Sequence, residues 1–379
     1  MRNKPTVAIA CNFPVWEIDS ALPHPGPHHY AVWLSALAHS LSDQSEYNIH
    51  WVVLSRLVSK RKVVENLGQV FHILPRCRKT IGLYTHYLYD RWRISRELSR
   101  IQPDIVHFWG TEDCYALCGK GYSGRKILSI QGLLNAYIQR GKMSSFEVKH
   151  SAFEYPAVRS FDYLTTESPW AAERIREFAS PRCIYQFEYA VEEQFFKKER
   201  SLTPHPTCLY AGTDAPIKNV DTLVRAFASP ELAHIQLILA GVSPQSRASL
   251  PANITALGRV DRNTIAELLS TSWVLAHPSK ADTGPTIVKE ARVVGLPVVI
   301  STECGCKQYI THGKNGYIIE PNDTQSLIRA VLDLTSSKER NLSAGEYEQK
   351  ECRQALSCET MRNRLLQIYS SLLPRTKDR

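Results

Sequence analysis

No stretch of this chain approaches the roughly 20 uninterrupted apolar residues that a bilayer-spanning helix needs. The apolar part of MRNKPTVAIACNFPVWEID is also too short for the central region of a secretory leader. A cytoplasmic protein is therefore expected. Cysteine pairs at zinc-finger spacing are lacking as well: the ten cysteines are scattered, and neither Cys114 with Cys118 nor Cys304 with Cys306 is accompanied by a second pair. They read as reduced, mostly buried thiols. No Ser-, Gly- or Gln-rich tract and no acidic run interrupts the chain, which excludes bulk disorder and fibrous repeats. No carboxylate pair with Asp-x-Asp spacing is evident either.

What is present is an ordinary globular composition, 43% hydrophobic and 22% charged over 379 residues, long enough for two domains. The net charge of +9 is regional. Residues 56–126 hold 14 Lys and Arg against 6 Asp and Glu, or +8, and leave the remainder nearly balanced. Within this segment a helix is expected from about Gly82 to Ile101, with Tyr84, Tyr87, Leu88, Tyr89 and Trp92 interleaved with Arg91, Arg93, Arg96 and Arg100. Two readings stand: a solvated basic face with its aromatics in the core, or attraction to an anionic membrane surface or acidic lipid-linked acceptor. No nucleic-acid module accompanies the segment, so nucleic acid is not expected as a partner.

Short β-branched runs alternate with amphipathic stretches, the pattern of a parallel α/β architecture. TVAIACN, IHWVVLS, VFHILP, DIVHFWG, KILSIQG, YLTTES and CIYQFEY form a first series of strands, and TCLYAG, IQLILAG, ITALGRV, WVLAHPS, PVVIST and GYIIEP a second. The polar segment between them, residues 190–206, marks a boundary between domains at 1–190 and 207–357. A last helix, 358–373, has no strand after it and is expected to pack back on the first domain. Two doubly wound domains facing across a cleft would bind ligand beyond the C-terminal ends of their strands.

Residues 277–323 carry the most chemistry. A strand ends at His277 or Pro278, a loop brings Asp282 and Gly284, and a helix opens near Pro285. The free amides of Thr286 and Ile287 then face the loop with positive dipole character, a site suited to phosphate. Glu290 stands eight positions after Asp282, and carboxylates beside such a site accept hydrogen bonds from hydroxyls. This arrangement, with the following GLPVV, GKNGYIIEP and TQSLIRAVLDL, resembles the E-x7-E signature of retaining nucleotide-sugar glycosyltransferases of family 4, the group 1 class with the GT-B fold. The first acid is Asp rather than Glu.

The resemblance implies roles for further residues. In LYAGTDAPIKNVDTLVRAFA, Gly212 ends a strand and Lys218 matches the lysine directed at the diphosphate, while Thr213 stands where arginine is usual. Gly258, Arg259 and Val260 are implied as nucleotide contacts, and Glu290 as a ribose ligand. In the first domain Gln131 occupies the place of a histidine that touches the donor sugar; it cannot take a proton. Gly26, His28 and Glu112 are the candidates on the acceptor or diphosphate side. The implied activity is transfer of a sugar from a UDP- or GDP-sugar to a hydroxyl of a glycan or lipid-linked acceptor, with no cofactor or metal. A nucleotide-sugar binding protein without transfer activity, or a non-hydrolysing sugar-nucleotide epimerase, are the alternatives.

Overall fold

A computed structural model describes residues 4–24, 31–247 and 249–374 of the chain. They fall into two compact units. The first comprises Met1–Asn135, Ser144–Ala190 and Cys358–Arg379; the second comprises Ala136–Met143 and Val191–Ser357.

The first unit is built on eight strands: β1 (Thr6–Cys11), β2 (Asn48–Ser55), β3 (Lys62–Asn66), β4 (Gln69–Pro75), β5 (Ile105–Trp109), β6 (Lys126–Ile130), β7 (Tyr163–Thr166) and β8 (Cys183–Gln186). Their order in the sheet is β3-β4-β2-β1-β5-β6-β7-β8, parallel except for the β3–β4 hairpin. The central strands β1 and β5 are almost wholly buried and, Thr6 and His107 apart, apolar on both faces, as a sheet covered on both sides requires. Sequence pattern missed β3. It is an edge strand, KVVEN, joined to β4 by Leu67 and Gly68, both with positive φ, a two-residue turn that needs no run of turn-forming residues. Its Lys and Glu are the charges an exposed edge carries. The helix Cys358–Leu372 belongs to this unit, burying Met361, Leu365, Ile368 and Tyr369 in the same core as β1, β2 and β5. There the Tyr369 hydroxyl lies 2.9 Å from Nδ1 of buried His107, whose Nε2 is 2.7 Å from the Ser129 hydroxyl.

The single helix expected over 82–101 is two, Lys79–Tyr84 and Leu88–Ile101. Tyr87 breaks it. With φ at 55° its ring turns inward, and its hydroxyl lies 3.1 Å from Nδ1 of buried His150. Gly82 makes the space, since a Cβ there would lie 2.6 Å from the Tyr87 ring. Tyr87 N–H closes the first helix on the Gly82 carbonyl at 2.6 Å. Only Tyr87 of the interleaved aromatics is buried; Tyr84, Tyr89 and Trp92 are exposed, so the reading that put them in the core fails.

The second unit has six parallel strands, β9 (Thr207–Ala211), β10 (Gln236–Ala240), β11 (Ile254–Gly258), β12 (Val274–His277), β13 (Val298–Ser301) and β14 (Gly316–Ile319). Their order, β11-β10-β9-β12-β13-β14, reverses direction between β9 and β12. This is the doubly wound Rossmann arrangement, and it opens a crevice at that switch point. Two apolar layers cover the sheet, one around Tyr210, Leu223, Phe227 and Val331, the other around Phe195, Leu269, Val288 and Val294. All ten cysteines are free thiols.

Candidate active site

The crevice of the second unit is assembled by two loops pinned to each other. After β9 the chain runs through Gly212 to a short turn, Pro216–Lys218; after β12 it runs through Pro278 to Asp282. Lys280 N–H donates to the Ile217 carbonyl at 2.8 Å, and the side chain of buried Asn219 donates to the carbonyls of Pro278, at 2.9 Å, and Pro321. Asn219 holds φ at 58°, a conformation Asn tolerates and which starts the helix Val220–Phe227 without a longer loop. On the other side, Asp282 N–H donates to the Glu303 carbonyl and its own carbonyl accepts from Gly305 N–H. The loop tip is thereby fixed to the loop that follows β13.

These bonds bring Lys218 and Asp282, 64 residues apart, to 2.5 Å between Nζ and Oδ2. The same Oδ2 lies 3.0 Å from Nε2 of His277, the last residue of β12, which is buried and lies parallel to the Tyr210 ring. Burial alone would raise the Asp282 pKa, but Lys218 and the His277 bond hold it well below the usual carboxylate range. Burial lowers that of His277, and the neighbouring carboxylate only partly offsets this. Asp282 is thus held as the carboxylate, and the imidazole is the neutral donor that orients it.

The helix Thr286–Val294 begins directly after this loop, with Pro285 as its N-cap residue and no side chain capping it. Val288 N–H is already used by the Pro285 carbonyl. The amides of Thr286 and Ile287 sit in the first turn, where no intrahelical acceptor exists. Asp282 does not cap the helix; its carboxylate is spent on Lys218 and His277. Glu290, one turn on, is buried to 1% exposure, with Oε1 2.5 Å from Arg262. Arg262 also holds Glu192 and stacks on Phe195 at 4.7 Å. Burial raises the Glu290 pKa in spite of Arg262, with Glu192 adding to the rise. Its second oxygen, Oε2, is buried with no protein partner. A carboxylate oxygen in that state costs energy until a donor reaches it.

Three glycines let the strand ends crowd together. Gly241 has φ of 89°, and a Cβ there would stand 2.4 Å from the Gly212 carbonyl oxygen; its N–H donates to the Gly258 carbonyl at 2.7 Å. Gly258 has φ of 66° and donates to Val242. Val260 packs on the same apolar layer as Ile287, while Thr213 and Arg259 are exposed at the rim and Gly284 is half-buried in the Asp282 loop.

Residues 191–351 match the family described as glycosyl transferases group 1. Over those residues the second unit is similar to the group 1 glycosyl transferases. Among curated relatives, lipopolysaccharide glucosyltransferase WaaG of Escherichia coli (strain K12) is 30% identical over 132 residues, 33% of this chain and 35% of that protein. N-acetyl-alpha-D-glucosaminyl L-malate synthase of Bacillus anthracis is 24% identical, covering 41% and 43%. The chain spans less than half the length of either relative. Among solved structures, a sucrose-phosphate synthase from Thermosynechococcus elongatus superposes with a TM-score of 0.77 at 16% identity, covering 97% of this chain and 99% of the other. Anabaena Alr3699/HepE, solved with UDP and glucose, gives 0.69 at 14%, covering 97% and 100%. These likenesses are of fold: two Rossmann-like units with parallel sheets, the GT-B architecture.

In the second unit the structure gathers Gly212, Lys218, Asp282, Thr286, Ile287 and Glu290 at one end of the sheet. Sequence reasoning missed His277, Arg262, Glu192 and Phe195. His277 carried one signal, a polar residue closing an apolar strand five positions before the acid. Glu192 and Phe195 lay in a stretch without periodicity, and only the packing reveals them. Tyr137, in the short segment that joins this unit, bonds Thr283 beside Asp282 at 3.0 Å.

In the first unit Gln131 and Glu112 are brought together at the ends of β6 and β5 around Gly110, which has φ of 89°; a Cβ there would stand 2.9 Å from Gln131 Oε1 and 3.1 Å from Glu112 Oε2. Loss of water around the carboxyl, with Glu154 and Asp113 adding, pushes the Glu112 pKa up to about 7. Gly26 and His28 lie outside the described residues.

Proposed function

We propose that the chain is a retaining glycosyltransferase of family 4 that moves a sugar from a UDP- or GDP-sugar to a hydroxyl of a glycan or lipid-linked acceptor, in cell-surface polysaccharide or glycolipid synthesis. The observation that carries this reading is buried Glu290 Oε2, without a protein partner, beside an uncapped helix N-terminus at the switch point of the sheet. A nucleotide diphosphate fits both: a ribose hydroxyl donates to Glu290, and the phosphates meet the amides of Thr286 and Ile287 and the Lys218 ammonium. Gly258, Arg259 and Val260 border the base. Asp282, shorter than the Glu of the signature, serves by anchoring Lys218.

In this chemistry the acceptor oxygen bonds to the anomeric carbon as the carbon–phosphate oxygen bond breaks on the same face. The hydroxyl proton passes to the departing phosphate oxygen, so no side chain need act as base. Lys218 and the two amides carry the developing charge without calling on a cofactor or metal. The protein works on the cytoplasmic side, where the basic segment 56–126 draws it to an anionic membrane. Calorimetric titration with UDP and GDP tests the site: wild type binds one of them, and Glu290→Ala weakens it by roughly 10- to 100-fold, the worth of a hydrogen bond to a charged group. Equal affinity in the two proteins would overturn the assignment.

A further inference from the structure

The broken helix of the first unit leaves an unusual surface. Among the described residues ten large apolar side chains are exposed, and five of them, Ile81, Tyr84, Leu88, Tyr89 and Trp92, lie within twelve positions of one another. Tyr84 and Leu88 are the most open, at 76% and 64%. Val148, on the helix Ser145–Ser151 beside them, is a sixth. Such side chains in the core would be ordinary; held outside by the Tyr87 break they form a wedge.

Cations frame it. Arg93 stacks over Tyr89 at 3.9 Å, Arg96 over Trp92 at 5.3 Å and Lys149 over Tyr84 at 5.6 Å, with Arg78 and Lys79 exposed at the start of the first helix. The acids of the helices Lys79–Tyr84 and Leu88–Ile101 are withdrawn from the face, and Glu147, half-exposed beside Lys149, is engaged by Ser144 at its helix start. Asp90 is buried and accepts from Cys77 N–H, and Glu97 is buried among Arg61, Arg100 and His72. A cleft of 280 Å³ adjoins the wedge, floored by Leu88, Trp92, Leu98 and Tyr122 with Arg91 among them.

We propose that this face, from Arg78 to Arg96 with Lys149, is the surface by which the protein docks on an anionic lipid bilayer, its aromatic and aliphatic side chains entering the interface and its cations pairing with lipid phosphates. The proposal rests on the membrane attraction offered above for the basic segment and does not depend on the transfer chemistry. Tyr and Trp prefer the headgroup level, and Lys and Arg are favoured beside them. Ile81 and Leu88 decide against nucleic acid, because an aliphatic side chain offers no stacking surface to a base and gains only from an apolar phase.

The test is co-sedimentation of the full chain with vesicles of phosphatidylcholine, with and without 30% phosphatidylglycerol. Wild type binds the anionic vesicles and releases them at high salt. Leu88→Ser with Trp92→Ser abolishes binding, and Arg91→Gln with Arg96→Gln lowers it by roughly 30-fold, at about fivefold per cation. UDP or GDP affinity stays at the wild-type value in both, which separates this surface from the donor site and shows that the variants are folded. Should a variant fail to fold, wild-type tryptophan quenching by brominated phosphatidylglycerol reads the same contact directly. Equal binding to neutral vesicles, wild-type binding by both double variants, absent quenching, or binding of duplex or single-stranded nucleic acid without vesicle binding would each overturn the proposal.

Discussion

Lys218 and Asp282 are the two residues whose partnership the sequence could not show. Read singly, the lysine points to phosphate and the acid to a sugar hydroxyl; in the fold they hold each other at 2.5 Å, with His277 completing the set. The ion pair ties Lys218 to the loop that leads into the helix Thr286–Val294, and pre-organised charge of this kind is what a leaving diphosphate requires. Lys218→Met removes the partner of a buried carboxylate. The cost is about 2 to 3 kcal/mol, toward the lower end for a broken buried pair because the lysine is partly exposed. The depressed pKa fixes the sign of the pH effect. In wild type the Asp282 contribution is present above its unfolded value near 3.8 and is lost only as pH falls through the lower folded value. In the variant the folded value rises, so acid unfolding followed by circular dichroism moves to higher pH. An unchanged acid midpoint would show that the pair contributes nothing.

At the scale of elements, parallel strands and their order were legible because buried β-branched runs separated by amphipathic segments admit few other architectures. The exceptions have local causes. Strand β3 was hidden by alternation with charge and by a turn that uses Leu67, and the helix over 82–101 was read through a break that only the inward fold of Tyr87 against Gly82 explains. Gly241 sets the close approach of strand ends in the second unit: positive φ and contact with the Gly212 carbonyl both exclude a side chain. Gly241→Ala should lower stability by at least 2 kcal/mol, the left-handed strain plus displacement of the Gly212 loop. Urea unfolding checks it, and nucleotide affinity should fall with it because Gly212 leads into Lys218. A variant as stable and as tightly binding as wild type would mean that the loops are not so closely set.

Across the whole molecule the charge of +9 resolves into a basic first unit and a nearly balanced second, with the proposed nucleotide site in the balanced one. How much of that site was legible follows from where its residues lie. Asp282, Thr286, Ile287 and Glu290 share one loop and helix, so spacing reveals them together. Arg262 reaches Glu290 from 28 positions away while Glu192 and Phe195 hold Arg262 from farther still, and no local pattern encodes such a meeting. The central claim is that a nucleotide sugar bound there is cleaved with retention at its anomeric carbon. Proton NMR of the full chain with a panel of UDP- and GDP-sugars tests it most directly. The expected result is that one donor is consumed, that the nucleoside diphosphate appears, and that the first-formed sugar product keeps the donor's anomeric configuration. Intact donor throughout, an altered sugar still joined to its nucleotide, or an inverted anomer would contradict it.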